Sequence, residues 1–322
     1  MLNPVYPGAL ALLLLLLRGC AGPPPGHLQY QAPSNEPELL AVYEGWFGLP
    51  NHIRVGYSSH DTDVVRQQIQ RAQALGISGF VVDWYANRVP YLDKSYAIVQ
   101  KEAAQQGFQV AMMLDQPERG EDAEQTIAEL TQFRNKYLAP DAQGQSAYVT
   151  WNGRPLIFIF PHGTTDWGRV HAALQNWNPQ PLLIMENLPG PDAPNAKDFD
   201  GFYAWIKAGP VGGQLWGEEH LRIFYQTMVQ QYPNKMIVGG AWARFDDSRA
   251  SWGKGRFIDA HCGQTFRATF NLWRAYVPAG QTIPFMLIET WNDYEEGTEI
   301  ETGLPTCNGQ PPPASLKDEE IR

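Results

Sequence analysis

The segment from Thr290 to Glu301 reads TWNDYEEGTEIE and places five carboxylates, Asp293, Glu295, Glu296, Glu299 and Glu301, within twelve residues. Like charges at this density repel one another, so the run is either a solvated loop or a site. Asp293 and Glu296 stand three residues apart, just after the apolar run IPFMLIE and just before Gly297, where the chain can turn sharply. Two carboxylates that project into one pocket push their pKa values apart, and aromatic neighbours such as Trp291 and Tyr294 add desolvation. One then keeps a proton while the other stays ionised, which is the pairing that general acid and base catalysis requires. Glu295, Glu299 and Glu301 read as solvated or structural members of the loop. A D-x-x-E spacing is common by chance, and its placement after a strand is what gives it meaning.

Other chemistries lack their residues. The histidines (His27, His52, His60, His162, His171, His220 and His261) are scattered, with no H-x-H or H-E-x-x-H, so no metal is expected. No G-x-S-x-G elbow is present. No G-x-G-x-x-G or phosphate loop follows a strand. A net charge of −10 argues against nucleic acid or an anionic lipid surface as partner, since both need a basic footprint. The 11 Trp, 14 Tyr and 14 Phe suit carbohydrate, whose ring faces stack on aromatics, although most aromatics fill cores.

Eight apolar runs bounded by turn signals read as strands: 39–47, 79–85, 108–115, 154–160, 181–187, 199–205, 235–242 and 283–291. Amphipathic patterns at 61–76, 95–107, 123–138, 218–233 and 264–277 read as helices, the first with Asp61 as N-cap and a stop at Gly76. Continuous apolar strands alternating with amphipathic helices imply a parallel sheet covered on both faces. Eight units over residues 38–302 predict an α/β fold, a single (β/α)8 TIM barrel, with an open doubly wound sheet as the rival.

In such a barrel the C-terminal strand ends form the active face. They collect Tyr43, Glu44 and Trp46 after strand one; Asp83, Trp84 and Tyr85 after strand two; and Asp115, with Glu118 and Arg119 beyond it, after strand three. Strand five contributes Glu186 and Asn187, strand six Tyr203 and Trp205, strand seven Trp242, and strand eight Trp291, Asn292, Asp293 and Glu296. Tyr43 and Trp205 read equally well as packing residues, and Asp83 as a helix cap. The loop 243–262 is expected to carry specificity contacts.

The first twenty residues read as an export signal: Ala9–Leu17 is the length of a signal core and too short to span a bilayer. It ends in LRGC, similar to a bacterial lipobox whose Cys20 would be lipidated, with Arg18 in place of the usual small or apolar residue. Residues 21–37 read as a flexible tether and 303–322 as a poorly ordered tail. Cys262 and Cys307 could pair in an oxidising compartment, but their proximity is not legible.

The strand-eight segment resembles that of two related glycoside hydrolase families. Trp291 to Glu296 is similar to the Trp-Asn-Asp-Tyr-Gly-Glu run of family 71 (α-1,3-glucanases), with Glu295 in place of Gly. Asn292 to Glu301 is similar to the Asn-Glu-Trp-His-Glu-Gly-Thr-Gln-Ile-Glu run of family 99 (endo-acting α-mannosidases and α-mannanases), with Asp293 and Glu296 on its two catalytic glutamates. The likeness extends to 57–85 and 199–205. It implies a (β/α)8 glycosidase acting on an α-linked mannan or glucan without a cofactor, with Asp115 and Glu186 as candidates for sugar hydroxyls and Trp84, Tyr85, Tyr203 and Trp242 as stacking platforms. Glu296 would be the acid and Asp293 the partner base, which in family 99 is thought to act on the sugar's own 2-hydroxyl. Asp293 is one methylene shorter than family 99's glutamate, which leaves retention or inversion open. The alternatives are a non-catalytic glycan-binding lipoprotein on the same barrel and a lyase or transglycosylase with the same carboxylates.

Overall fold

A computed structural model describes residues 36–117, 120–187, 196–210, 217–307, 310–313 and 315–316. The export signal with Cys20, nearly all of the tether, and Glu118 and Arg119 lie outside the described residues.

The eight expected runs all form parallel strands: β1 Glu38–Tyr43, β2 Gly79–Trp84, β3 Gln109–Asp115, β4 Arg154–Phe160, β5 Leu182–Glu186, β6 Gly201–Tyr203, β7 Met236–Trp242 and β8 Phe285–Glu289. Each pairs with its neighbours in chain order, and β1 closes on β8 with Glu38 opposite Phe285 and Ala41 opposite Ile288. The sheet therefore has no free edge, and the fold is a (β/α)8 barrel. The open-sheet rival is excluded.

The helices follow local chemistry. Helix α1 (Thr62–Ala74) starts at Asp61, whose carboxylate accepts the Asp63 and Val64 N–H groups. Helix α2 (Pro90–Gln106) opens on proline and ends at Gly107 in the left-handed region. Asp122 caps α3 (Ala123–Phe133), which runs on into a π-turn at Arg134–Leu138. Helices α5 (Glu218–Gln231) and α6 (Gln264–Asn271) fall where their periodicity puts them.

Several expectations are corrected. The first run ends as a strand at Tyr43 rather than at 47, because the backbone of Glu44 is taken by the Asn292 side chain. The run 199–205 yields only three strand residues. A helix, α4 (Trp167–Leu174), capped by Asp166, was not read from the sequence. The tail is not loose throughout: Leu316 is buried and its N–H donates to the Leu75 carbonyl, while Cys307 is disulfide-bonded to Cys262.

Candidate active site

Past β8 the chain is folded by its own polar groups. The Asp293 N–H donates to Thr290 Oγ1 at 2.8 Å, and Asp293 Oδ1 accepts the Glu295 and Glu296 N–H groups, each at 2.9 Å. Gly297 then takes φ +63°, a conformation that costs a side-chain-bearing residue about 1 kcal/mol or more. This capped turn distributes the five acids. Glu295 is held by His52 Nδ1 at 2.7 Å and the Ile53 N–H. Glu299 pairs with Arg244, and Glu301 binds Arg71, Gln68, Tyr57 and Tyr294. These three acids have structural partners on neighbouring loops and helices. Asp293 and Glu296 remain at the barrel mouth.

They join other strand-end carboxylates there. Glu44, only 4% exposed, is pushed well above the usual carboxylate range by burial first and then by the charges of Asp83, Asp293, Asp115 and Glu296. Burial and Asp115 likewise raise Asp83, against hydrogen bonds from Tyr85 and Glu44. Asp293 is raised by burial and by Glu296, with the two backbone N–H groups on Oδ1 opposing. Among the described residues, every hydrogen bond to the Asp293 side chain falls on Oδ1, so Oδ2 is the oxygen left for chemistry. Burial and mutual repulsion thus raise Glu44, Asp83 and Asp293 together.

Glu296 has a different environment. Its Oε1 accepts the Trp252 indole N–H at 2.9 Å, and Arg256 Nη2 lies 3.4 Å from the same oxygen. Burial raises its carboxyl while Trp252 and Arg256 pull it down, with Asp247 and Glu295 adding to the rise. Both partners sit on one loop organised by Asp247, which is fully buried. Asp247 accepts the Lys254 and Arg256 N–H groups, each at 2.9 Å, and Arg256 Nε at 2.7 Å. Although burial pushes Asp247 up, these bonds outweigh it and hold the carboxylate ionised.

On the opposite rim, His162 Nε2 meets Asp115 Oδ1 at 3.0 Å. Glu186 is pushed up to about 7 by burial, opposed by Lys207 and by the Asn187 amide, which donates to Glu186 Oε1 at 2.6 Å. Asn187 Oδ1 in turn accepts the Trp205 N–H and the His220 ring N–H. Burial lowers His220 to about 4, so its imidazole is neutral. Trp205 is half-buried, edge-on to Phe160 at 5.2 Å. Among the described residues no grouping of three or more His, Cys, Asp or Glu could hold a metal ion.

The structure brings Asp83, Tyr85, Asp115, Glu186, Trp205, Asp293 and Glu296 to this face but corrects most of the expected aromatic platforms. Trp84, Tyr203, Trp242 and Trp291 have no exposed surface, and a ring without a free face cannot stack on sugar. Trp84 packs on Phe133 of α3 and donates to Asp93 of α2, while Tyr203 donates to the Ile159 carbonyl. Tyr43 points to α1, where its hydroxyl donates to Gln68. Asn292 is spent on the Glu44 backbone. Trp46 is buried and stacked on His52 at 4.8 Å. The sequence reading pointed to the loop 243–262 but did not single out Trp252 and Arg256 within it, although Trp252 in ASWGKG lies among small and polar residues rather than in a core pattern.

No protein-family model matches the chain, and no curated protein matches it. Solved structures do share its fold. A glycoside hydrolase family 99 endo-α-mannosidase from Bacteroides thetaiotaomicron, in complex with bis-tris-propane, aligns with a TM-score of 0.66 at 21% identity, covering 83% of this chain and 88% of that one. A second structure of the endo-α-mannosidase from that organism gives 0.67 at 19% identity over the same shares. A glycoside hydrolase-like protein gives 0.61 at 15% identity, covering 92% of this chain and 96% of that one. These likenesses establish the barrel on which the carboxylates are mounted.

Proposed function

We propose that the chain is a glycoside hydrolase that cleaves an α-linked polysaccharide or oligosaccharide of mannan or glucan type, with Glu296 as general acid and Asp293 as the partner base. The observation that carries this reading is the division of the strand-eight loop. Three of its five acids are turned to structural partners, while Asp293 and Glu296, each bonded through one oxygen, share the mouth with Glu44, Asp83 and Asp115. Glu296, held through Oε1 by Trp252 and Arg256, suits proton donation to a leaving oxygen, and Asp293 Oδ2 suits the base or nucleophile role. The likeness to the family 99 endo-α-mannosidase supports the choice of a glycan and an endo mode, whereas family 71 rests on sequence likeness, chiefly the Trp291–Glu296 run. The Cys262–Cys307 bond supports export, and the LRGC run supports an anchor at Cys20.

The non-catalytic glycan-binding reading keeps one observation of its own: the Asp293 carboxylate caps the turn it starts, a structural task that needs no substrate. The test digests α-mannans, α-1,3-glucan and mixed α-glucans with wild type, Asp293→Asn and Glu296→Gln, and quantifies released sugar. Release by wild type with a fall of about a hundredfold or more in both variants is the expected result. Release that survives both changes moves the chemistry elsewhere. Binding of the panel without any cleavage favours the glycan-binding barrel.

A further inference from the structure

Among the described residues of this face, Tyr85 and Trp205 are partly buried and Trp252 is the most exposed large ring. Trp252 is 37% exposed, and its indole N–H is bonded to the carboxylate assigned as the acid. It owes this position to a built loop rather than to a chance surface placement. Asp247 ties residues 248–256 together through Lys254 and Arg256. Gly253 is required there, because a Cβ at that position would lie 2.0 Å from the Asp247 carbonyl oxygen. Trp46 and His52, stacked on each other, meet the Trp252 ring edge-on at 6.0 and 6.2 Å. A ring braced by two aromatic neighbours and still more than a third exposed can offer apolar surface to one side of a pyranose.

We propose that Trp252 is the sugar-stacking platform next to Glu296 and, through its indole N–H, the positioning residue that fixes which Glu296 oxygen carries the proton. This rests on the hydrolase reading above for its catalytic half; the platform half stands on geometry alone. Glu296 Oε1 takes the indole N–H and faces the Arg256 guanidinium, both of which only donate. A hydrogen on Oε1 would meet these donors head-on, so the proton resides on Oε2. A hexose stacked on the indole face lies beside that carboxyl, since Nε1 is at the ring edge. The same side chain then binds one sugar of the chain and orients the acid that breaks the adjoining bond.

The test separates the two tasks. Trp252→Phe keeps a ring and loses the N–H, while Trp252→Ala loses both. Titration of the carboxyl carbon of Glu296 by NMR reads the hydrogen bond, and calorimetric binding of α-mannotetraose together with KM reads the platform. Loss of the N–H removes a bond to the charged form, so in both variants the Glu296 midpoint moves to higher pH. The limb of kcat/KM that falls on deprotonation of the acid moves with it. Binding stays close to wild type in Trp252→Phe and weakens about tenfold in Trp252→Ala. Arg256→Gln also raises the midpoint, and that shift shrinks in high salt whereas the Trp252→Phe shift persists. An unmoved Glu296 midpoint in Trp252→Phe overturns the positioning role. Equal binding by wild type and Trp252→Ala, or no binding by either, overturns the platform. Loss of binding in Trp252→Ala when wild type cleaves no α-glycan upholds the platform and removes the hydrolase reading instead.

Discussion

Asn292 holds Glu44 by both of its backbone groups: Oδ1 accepts the Glu44 N–H at 2.7 Å and Nδ2 donates to the Glu44 carbonyl at 3.0 Å. The two residues are 248 apart in sequence and lie just past the strands that close the barrel, β1 and β8. The ladder between those strands ends at Ala41 and Ile288, the Trp291 N–H then donates to the Val42 carbonyl, and the Asn292 amide adds further rungs beyond that bond. It also aims Glu44 at Asp83, Asp293 and Glu296, which couples closure of the fold to the electrostatics of the mouth.

Asn292→Ala therefore leaves two buried backbone groups without partners, at about 1–3 kcal/mol each. Urea unfolding is expected to show a loss of about 2–5 kcal/mol, together with lower activity from displaced carboxylates. Asn292→Asp keeps the acceptor, loses the donor and adds a charge among acids, so it is destabilised too, and less so at low pH. Wild-type stability in Asn292→Ala would mean that the seam is closed by the ladder alone.

The barrel was legible because its strands are continuous apolar runs, which leave little choice once eight of them alternate with helices. The helix starts were legible where a carboxylate caps them, as at Asp61. Asp293 and Glu296 stood out because a D-x-x-E pair follows the last strand. What failed was the direction of individual side chains. Neighbouring residues on a strand point to opposite faces, so Asp83 turns to the mouth while Trp84 turns to the helices, and Glu44 and Tyr43 divide in the same way. Sequence identifies that alternation but not which parity faces the mouth. Trp252 was hidden for another reason: its position depends on Asp247 and Gly253 folding a loop whose contacts have no sequence period.

Glu289, the last residue of β8, gives a stability prediction with a definite sign. It is fully buried, Oε2 accepts the Ile206 N–H at 2.6 Å, and Oε1 has no partner among the described residues. Burial first, with the charges of Glu186 and Glu296 adding to it and the Ile206 hydrogen bond opposing, raises its carboxyl well above its ordinary value of 4.5. A group raised on folding keeps its proton in the folded chain after the unfolded chain has released it, so stability falls as pH rises above 4.5. Glu289→Gln keeps the acceptor for Ile206 and cannot ionise. Its unfolding free energy should match wild type at about pH 4.5 and exceed it at about pH 8. Parallel profiles across that range would mean that Glu289 does not titrate with folding.

The disulfide between Cys262 and Cys307 closes a loop of 45 residues, from the end of the 243–262 segment to the tail. Constraint of the unfolded chain over that length is worth about 3–4 kcal/mol in the chain-entropy account. Reduction, or the double change Cys262→Ala and Cys307→Ala, is expected to lower Tm by about 10 °C. The effect should extend beyond stability. Gly263 packs against the Pro305 carbonyl, where a Cβ would come within 2.6 Å, so the bond clamps the tail onto the chain that leaves the Trp252 loop. Loosening the clamp frees the partners of Glu296 and should raise KM while the far-UV circular dichroism stays native. A reduced protein with unchanged KM but a lower Tm would confine the disulfide to a stabilising role and leave the Trp252 loop held by Asp247 alone.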